Sequence, residues 1–161
     1  MKELICEKAA KYANLNKNQL QSLLNIAKKA STIGGEILME YYGNITHIKT
    51  KANYSDLVTE ADIKAEKAIL EYLTLETPNI SILAEESGHF DKKNALVWCI
   101  DPLDGTTNFA NGYPFFATSV GLTYNDMPIL GSISVPFLKE IFFGAPMIGA
   151  FCFELHFCAL A

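Results

Sequence analysis

Along residues 18–42 the apolar side chains Leu20, Leu23, Leu24, Ala27, Ile33, Ile37, Leu38 and Tyr41 recur at helical spacing. That spacing lays them along one side of an α-helix, and Gly43 supplies a stop. Gly34-Gly35 costs helix stability, so its place in mid-helix points to close packing against another element. Residues 44–56 are polar and irregular, with Lys49 and Lys51 among them. Thr59-Glu60-Ala61-Asp62 then matches a capping box, and a second helix follows through Ala65, Ala68, Ile69 and Leu73 towards Pro78. Beyond it the pattern changes. Residues 80–84 and 96–100 read as short buried strands, the first delivering Glu85 and Glu86 at its end and the second Asp101. Residues 115–124, 129–135 and 140–143 read as later strands, with Asn125-Asp126 as a turn. The order predicts a mixed α/β (α+β) layered domain, with two long helices packed on a largely antiparallel sheet.

The chain has 161 residues, half of them hydrophobic and 19% charged, which suits one globular domain and excludes a disordered chain. Its net charge is −5 and it has no Lys/Arg block, so no nucleic-acid partner is expected. An acidic chain that holds an anionic small molecule needs a local cation. Cys6, Cys99, Cys152 and Cys158 form no CxxC pair, so they read as buried or incidental thiols in a reducing compartment. The first 19 residues have scattered charges and no apolar signal core, which predicts a cytoplasmic protein. Residues 141–161 are almost wholly apolar, but Gly144, Pro146, Gly149, Glu154 and His156 interrupt them. They read as a core strand with an untidy tail, and no membrane partner is expected.

The chemistry gathers in WCIDPLDGTTNF, residues 98–109, where an apolar run ends in two aspartates with a proline between them. Like charges so close need a partner that neutralises both. Strand ends in one sheet lie together, so Glu85, Asp101 and Asp104 can converge. Three carboxylates without histidine or thiolate suit Mg²⁺, with Mn²⁺ as the alternative, better than zinc. Pro102 removes a backbone donor and stiffens the turn, which leaves the Leu103 carbonyl free to face the metal. Gly105-Thr106-Thr107 opens a helix or helical turn whose unpaired N–H groups suit a phosphate. A metal beside such a turn points to phosphoryl chemistry, with the Thr106 hydroxyl orienting a water if something accepts its proton. Each piece alone has a plainer reading. Asp101 and Asp104 suit an ordinary DPxDG turn, Glu85-Glu86 a solvated loop, Asp62 a helix cap and Lys51 a solvated lysine. His47, His89 and His156 share no metal spacing. Their joint occurrence favours a site.

Three segments, in order, resemble the inositol monophosphatase family of metal-dependent, lithium-sensitive phosphatases. Residues 56–62, DLVTEAD, resemble the family's segment of that sequence, residues 84–88 its xEESG loop, and residues 98–109 its WxxDPxDGTTNF signature. The resemblance covers about residues 20–150. It implies the N-terminal portion of an αβαβα sandwich of the sugar-phosphatase type and Mg²⁺-dependent hydrolysis of a small phosphate monoester. By the family pattern Glu85, Asp101, the Leu103 carbonyl and Asp104 bind metal. Glu85 and Thr106 activate the attacking water, and Asp62 holds the Thr106 hydroxyl. Asp104 and the amides of Gly105, Thr106 and Thr107 hold the phosphate, with Lys51 as a basic contact. The expected substrate is a polyol phosphate such as inositol monophosphate. Sugar bisphosphate, histidinol phosphate and 3′-phosphoadenosine phosphate are the alternatives. A homodimer is expected for a full-length form.

Two departures stand out. Family chains continue through a second sheet domain with a WDxAAG-like segment that adds a metal-binding aspartate, and nothing in these 161 residues matches it. After Gly149-Ala150-Phe151 a small polar turn would follow in the family, where this chain has Cys152-Phe153-Glu154-Leu155-His156-Phe157-Cys158. The expected organisation is therefore a phosphatase domain over residues 1–151 and a divergent apolar tail over 152–161, as though the chain were truncated or frame-shifted. A catalytically dead metal- or phosphate-binding remnant is the competing expectation.

Overall fold

The computed structural model describes residues 4–43, 48–50, 57–90 and 94–154. Helix α1, Ile5–Tyr12, comes first and buries Ala9 and Ala10. Helix α2, Lys17–Tyr41, begins at Asn16, whose Oδ1 accepts from the Gln19 amide at 3.0 Å while Gln19 Oε1 accepts from the Asn16 amide at 2.9 Å. It buries Leu20, Leu24, Ala27, Ser31, Gly34 and Leu38, a three-and-four spacing that keeps one face on the sheet. At its midpoint Gly34 and Gly35 let the backbone approach two strands closely. A Cβ on Gly34 would fall 2.6 Å from Thr118 Cγ2, and one on Gly35 would fall 2.6 Å from Ser134 Oγ. The close packing expected from this pair is present.

Strands β1, Ile48–Thr50, and β2, Leu57–Thr59, form a small antiparallel ladder that leads into α3, Glu60–Glu76. Then come β3, Ser81–Ala84; β4, Gly88–Phe90; β5, Leu96–Asp104; and a five-residue helix α4, Thr106–Ala110. Strands β6, Ala117–Tyr124; β7, Met127–Val135; β8, Glu140–Ala145; and β9, Gly149–Glu154, complete the described residues, with a 3₁₀ turn at Pro136–Leu138. The main sheet has the order β4-β3-β5-β6-β7-β8-β9. Only β3 and β5 run parallel; the other neighbours are antiparallel, as expected.

Helices α1, α2 and α3 all pack on this sheet, and the core lies beneath them. Trp98 is its largest fully buried side chain, and its Nε1 donates to Thr77 Oγ1 at 2.9 Å. Among the described residues the opposite face is uncovered: Leu83, Ile133 and Phe142 lie 48%, 43% and 41% exposed there. Among the described residues no helix is long and apolar enough to cross a membrane.

Two details differ from the sequence-based expectations. Strand β5 does not stop at residue 100 but runs through Pro102 to Asp104. Strand β9, which the sequence pattern does not predict, pairs Phe151 with Phe143 and Phe153 with Ile141. The tail's start is thus an edge strand, held by backbone pairing and by stacked Phe143, Phe151 and Phe153 rings. Phe143 is buried, and Lys28 Nζ sits 4.0 Å above its ring. Cys152 is exposed, an incidental thiol, because its register opposite Phe142 turns it to the open face.

Candidate active site

The two aspartates of residues 98–109 sit where β5 leaves regular geometry. Asp101 pairs with Ser119 and Asp104 with Ala117, so three steps along β5 face two along β6. This bulge turns the strand between the pair. Leu103 goes into the helix-side core with Leu38, Phe109 and Phe116, while Asp101 faces a cleft on the open side. The cleft has a volume of about 680 Å³ and is lined by Leu83, Glu85, Gly88, Cys99, Asp101 and Ser119. The Leu103 amide donates to Asp101 Oδ1 at 3.1 Å, which fixes that carboxyl at the turn. Thr118 Oγ1 donates to the Pro102 carbonyl at 2.9 Å.

Glu85 reaches the same cleft from the turn after β3, because β3 lies parallel to β5 and pairs Ala84 with Ile100. The carboxyls of Glu85 and Asp101 come within hydrogen-bonding reach of each other. Burial above all, then the charge of Glu85, that contact and the charge of Asp104, push Asp101 up to about 7; the Leu103 N–H opposes them. Among the described residues, however, no three His, Cys, Asp or Glu side chains stand close enough to hold a metal together. Glu85 and Asp104 nonetheless lie near enough for their charges to act on Asp101. Like-charged groups separate unless a proton or a cation lies between them.

On the other side of the bulge, Gly105 takes φ +88° to turn the chain into α4. A Cβ there would lie 2.7 Å from the Phe115 carbonyl oxygen, so only glycine fits. Phe109 anchors the helix edge-on against Phe116 at 4.8 Å and beside Tyr42 at 5.7 Å, and Tyr42 Oη donates to the Gly112 carbonyl at 2.6 Å. Thr106 is then held over α3: its Oγ1 lies 3.0 Å from the Leu103 carbonyl and 3.4 Å from Asp62 Oδ1. Asp62 is 2% exposed. The structure thus brings Asp62 to Thr106, although Leu103 O, expected as a metal ligand, is the nearer acceptor. The amides of Thr106 and Thr107 belong to the first turn of α4, where N–H groups lack intrahelical acceptors. Lys51 lies outside the described residues, as do His47 and His156.

Sequence reasoning missed Glu66. It sits one turn after Asp62 on the buried face of α3, 3% exposed. Its Oε2 accepts the Glu86 amide at 2.8 Å and its Oε1 accepts Ser87 Oγ at 2.6 Å. The available signal was its spacing, i+4 from Asp62. Cys99 also escaped notice as a cleft residue; burial pushes its thiol up, against a hydrogen bond with Thr123, so it makes a poor nucleophile.

A proline-stiffened bulge with two aspartates, a glycine turn and a threonine over a buried aspartate agrees with what the sequence matches. Residues 19–159 match the model of the inositol monophosphatase family. The chain belongs to that family. It is 43% identical over 134 residues to an inositol-1-monophosphatase of Synechocystis, covering 83% of this chain and 47% of that protein. To a fructose-1,6-bisphosphatase/inositol-1-monophosphatase of Aquifex aeolicus it is 36% identical, with 82% and 50% covered. The structure of an inositol monophosphatase from Anabaena superposes with TM-score 0.70 at 40% identity, over 83% of this chain and 47% of that one. The family's mixed α/β fold is therefore shown. The chain spans about half the length of the curated relatives it matches.

Proposed function

We propose that this chain carries the metal- and phosphate-binding half of a phosphoric monoester hydrolase acting on a small polyol phosphate, foremost inositol monophosphate. The observation that carries the reading is the placing of a half-buried Asp101 at the β5 bulge within reach of the charges of Glu85 and Asp104; burial first, and then those charges, push its carboxyl up to about 7. Such a group trades its proton for a cation readily. The donors are all oxygen, from Glu85, Asp101, Asp104 and the Leu103 carbonyl, which suits Mg²⁺ or Mn²⁺. When bound, the cation would polarise the phosphate and lower the pKa of a water.

The remaining work falls to the chain. Glu85 and Thr106 orient the water that attacks phosphorus; Glu85 takes its proton as the P–O ester bond breaks, and the leaving alkoxide takes a proton from solvent water to become the alcohol. Asp62 Oδ1, 3.4 Å from Thr106 Oγ1, accepts the hydroxyl proton whenever the Leu103 carbonyl is otherwise engaged, which frees a Thr106 lone pair for the water. Gly105, Thr106 and Thr107 offer amides to the phosphate, with Lys51 as a basic contact. A cytoplasmic location and, for a longer form, a homodimer belong to the same proposal.

The test is Mg²⁺-dependent phosphate release from inositol monophosphate, a sugar bisphosphate, histidinol phosphate and 3′-phosphoadenosine phosphate. Fastest release from inositol monophosphate is expected, and no release from any of them sinks the enzyme reading. A second reading, metal or phosphate binding without turnover, is favoured by the lack of a three-carboxylate group among the described residues. Calorimetric Mg²⁺ titration with and without inorganic phosphate separates it: binding with no turnover supports it.

A further inference from the structure

Helix α3 buries two acids on one face, Asp62 at 2% and Glu66 at 3% exposure. A buried carboxylate is costly unless strong donors satisfy it. Each oxygen of Glu66 has one: the Glu86 N–H on Oε2 at 2.8 Å and the Ser87 hydroxyl on Oε1 at 2.6 Å. Both donors belong to the tight turn that joins β3 to β4, and that turn presents Glu85. The Glu86 amide is half of the peptide bond that leaves Glu85. Holding it therefore fixes the backbone from which the Glu85 side chain reaches Asp101.

We infer that Glu66 is a positioning residue that sets Glu85 for cation binding without touching the cation itself; this rests on the proposed role of Glu85. The two acids lie four residues apart, so one turn of helix ties both halves of the site together. Asp62 faces Thr106 on the β5 side, and Glu66 grips the β3 side. A rigid helix then fixes the distance between Glu85 and Thr106, which two flexible turns alone would not. Groups that orient a metal ligand typically change affinity about 10- to 100-fold when removed.

The experiment is calorimetric titration of the 161-residue chain with Mg²⁺ alone, alongside thermal unfolding of each variant. Glu66→Ala should weaken Mg²⁺ binding about tenfold or more. Ser87→Ala, which removes one of the two donors at an exposed site, should fall between wild type and Glu66→Ala. Glu66→Gln keeps an acceptor for the Glu86 amide, and the Ser87 hydroxyl can rotate to accept from the new amide. It should therefore recover most of the affinity. Leu24→Ala, a cavity in the core away from the cleft, controls for stability and should lower the unfolding temperature with affinity unchanged. Folded Glu66→Ala and Ser87→Ala variants with wild-type affinity would overturn the inference and leave the role of Glu85 standing. Equal loss in Leu24→Ala would overturn it too, since stability alone would then explain the effect. A wild-type chain that binds no Mg²⁺ would overturn both the inference and the reading it rests on.

Discussion

Asp101→Asn should make the cation-free protein more stable at pH 8 while removing its affinity for Mg²⁺. The Asp101 carboxyl rises from an ordinary 3.8 to about 7, chiefly through burial and the facing Glu85. A folded value above the unfolded one means that the folded state holds the proton more tightly. The stabilisation is complete below about pH 4 and is lost as pH rises through about 7. A gap of about three pH units would amount to roughly 4 kcal/mol in a fully buried site, at about 1.4 kcal/mol per unit. Asp101 is only half-buried, so solvent screening brings this to about 1–2 kcal/mol. Asparagine imitates the protonated acid: its Oδ1 still accepts the Leu103 amide and its Nδ2 can donate to Glu85. It carries no charge to repel Glu85 or Asp104. The variant should therefore unfold about 3–6 °C above wild type at pH 8, and the difference should vanish near pH 4. Mg²⁺ should raise the wild-type unfolding temperature more at pH 8 than at pH 5, and should not move that of the variant. Thermal scans at three pH values, with and without Mg²⁺, test both arms. A variant less stable than wild type at pH 8, or a difference independent of pH, would refute the reasoning.

Thr106→Ala removes the hydroxyl between Leu103 O and Asp62, and should slow hydrolysis about 100-fold while changing Mg²⁺ affinity little; an equal loss in both would count against its role towards the water. Gly34→Ala gains up to about 1 kcal/mol in helix propensity, but its Cβ would meet Thr118 Cγ2 at 2.6 Å and Ile69 Cδ1 at 2.8 Å. Overpacking of this kind costs about 1–3 kcal/mol, so denaturant titration should find a net loss; a gain would show that α2 has room to shift. The exposed Ile133, Phe142, Phe151 and Phe153 should make the 161-residue chain self-associate, with Phe142→Ser and Phe153→Ser reducing it in sedimentation velocity. A single monomeric species at every concentration would contradict this.

How much the sequence revealed depended on the length of each pattern. Helix α2 has 25 residues and a continuous apolar stripe, so its existence and nearly its ends were legible. Helix α1 was not, because its buried residues are two small alanines in a short segment with Lys8 and Lys11. Strands β1, β2 and β4 have three residues each, too few to display alternation. At the site, Asp101, Asp104 and Glu85 could be named from their positions at strand ends. The burial of Asp101 beside Glu85 could not, because it depends on the path of the bulge. Glu66 was hidden for another reason. A glutamate in a helix reads as solvated; the i+4 spacing from Asp62 hinted at its face, and the packing of the β3–β4 turn against α3 shows that it is buried.

The bulge also explains a residue that strand rules would forbid. Strand β5 lies between β3 and β6, so a proline inside it should remove a ladder hydrogen bond. Pro102 falls where the register slips, between Asp101 paired with Ser119 and Asp104 paired with Ala117. There the missing N–H need leave no partner unsatisfied, and the proline carbonyl, buried, takes the Thr118 hydroxyl. In a regular strand Asp101 and Leu103 would share a face, and one of them would be misplaced: a carboxylate in the core or a leucine in the cleft. The extra residue lets Leu103 reach Phe109 and Phe116 while Asp101 stays opposite Glu85. The apolar core thus enforces the acidic pair. The burial of Leu103 fixes the turn, and the turn leaves Asp101 facing another carboxyl, within range of a third.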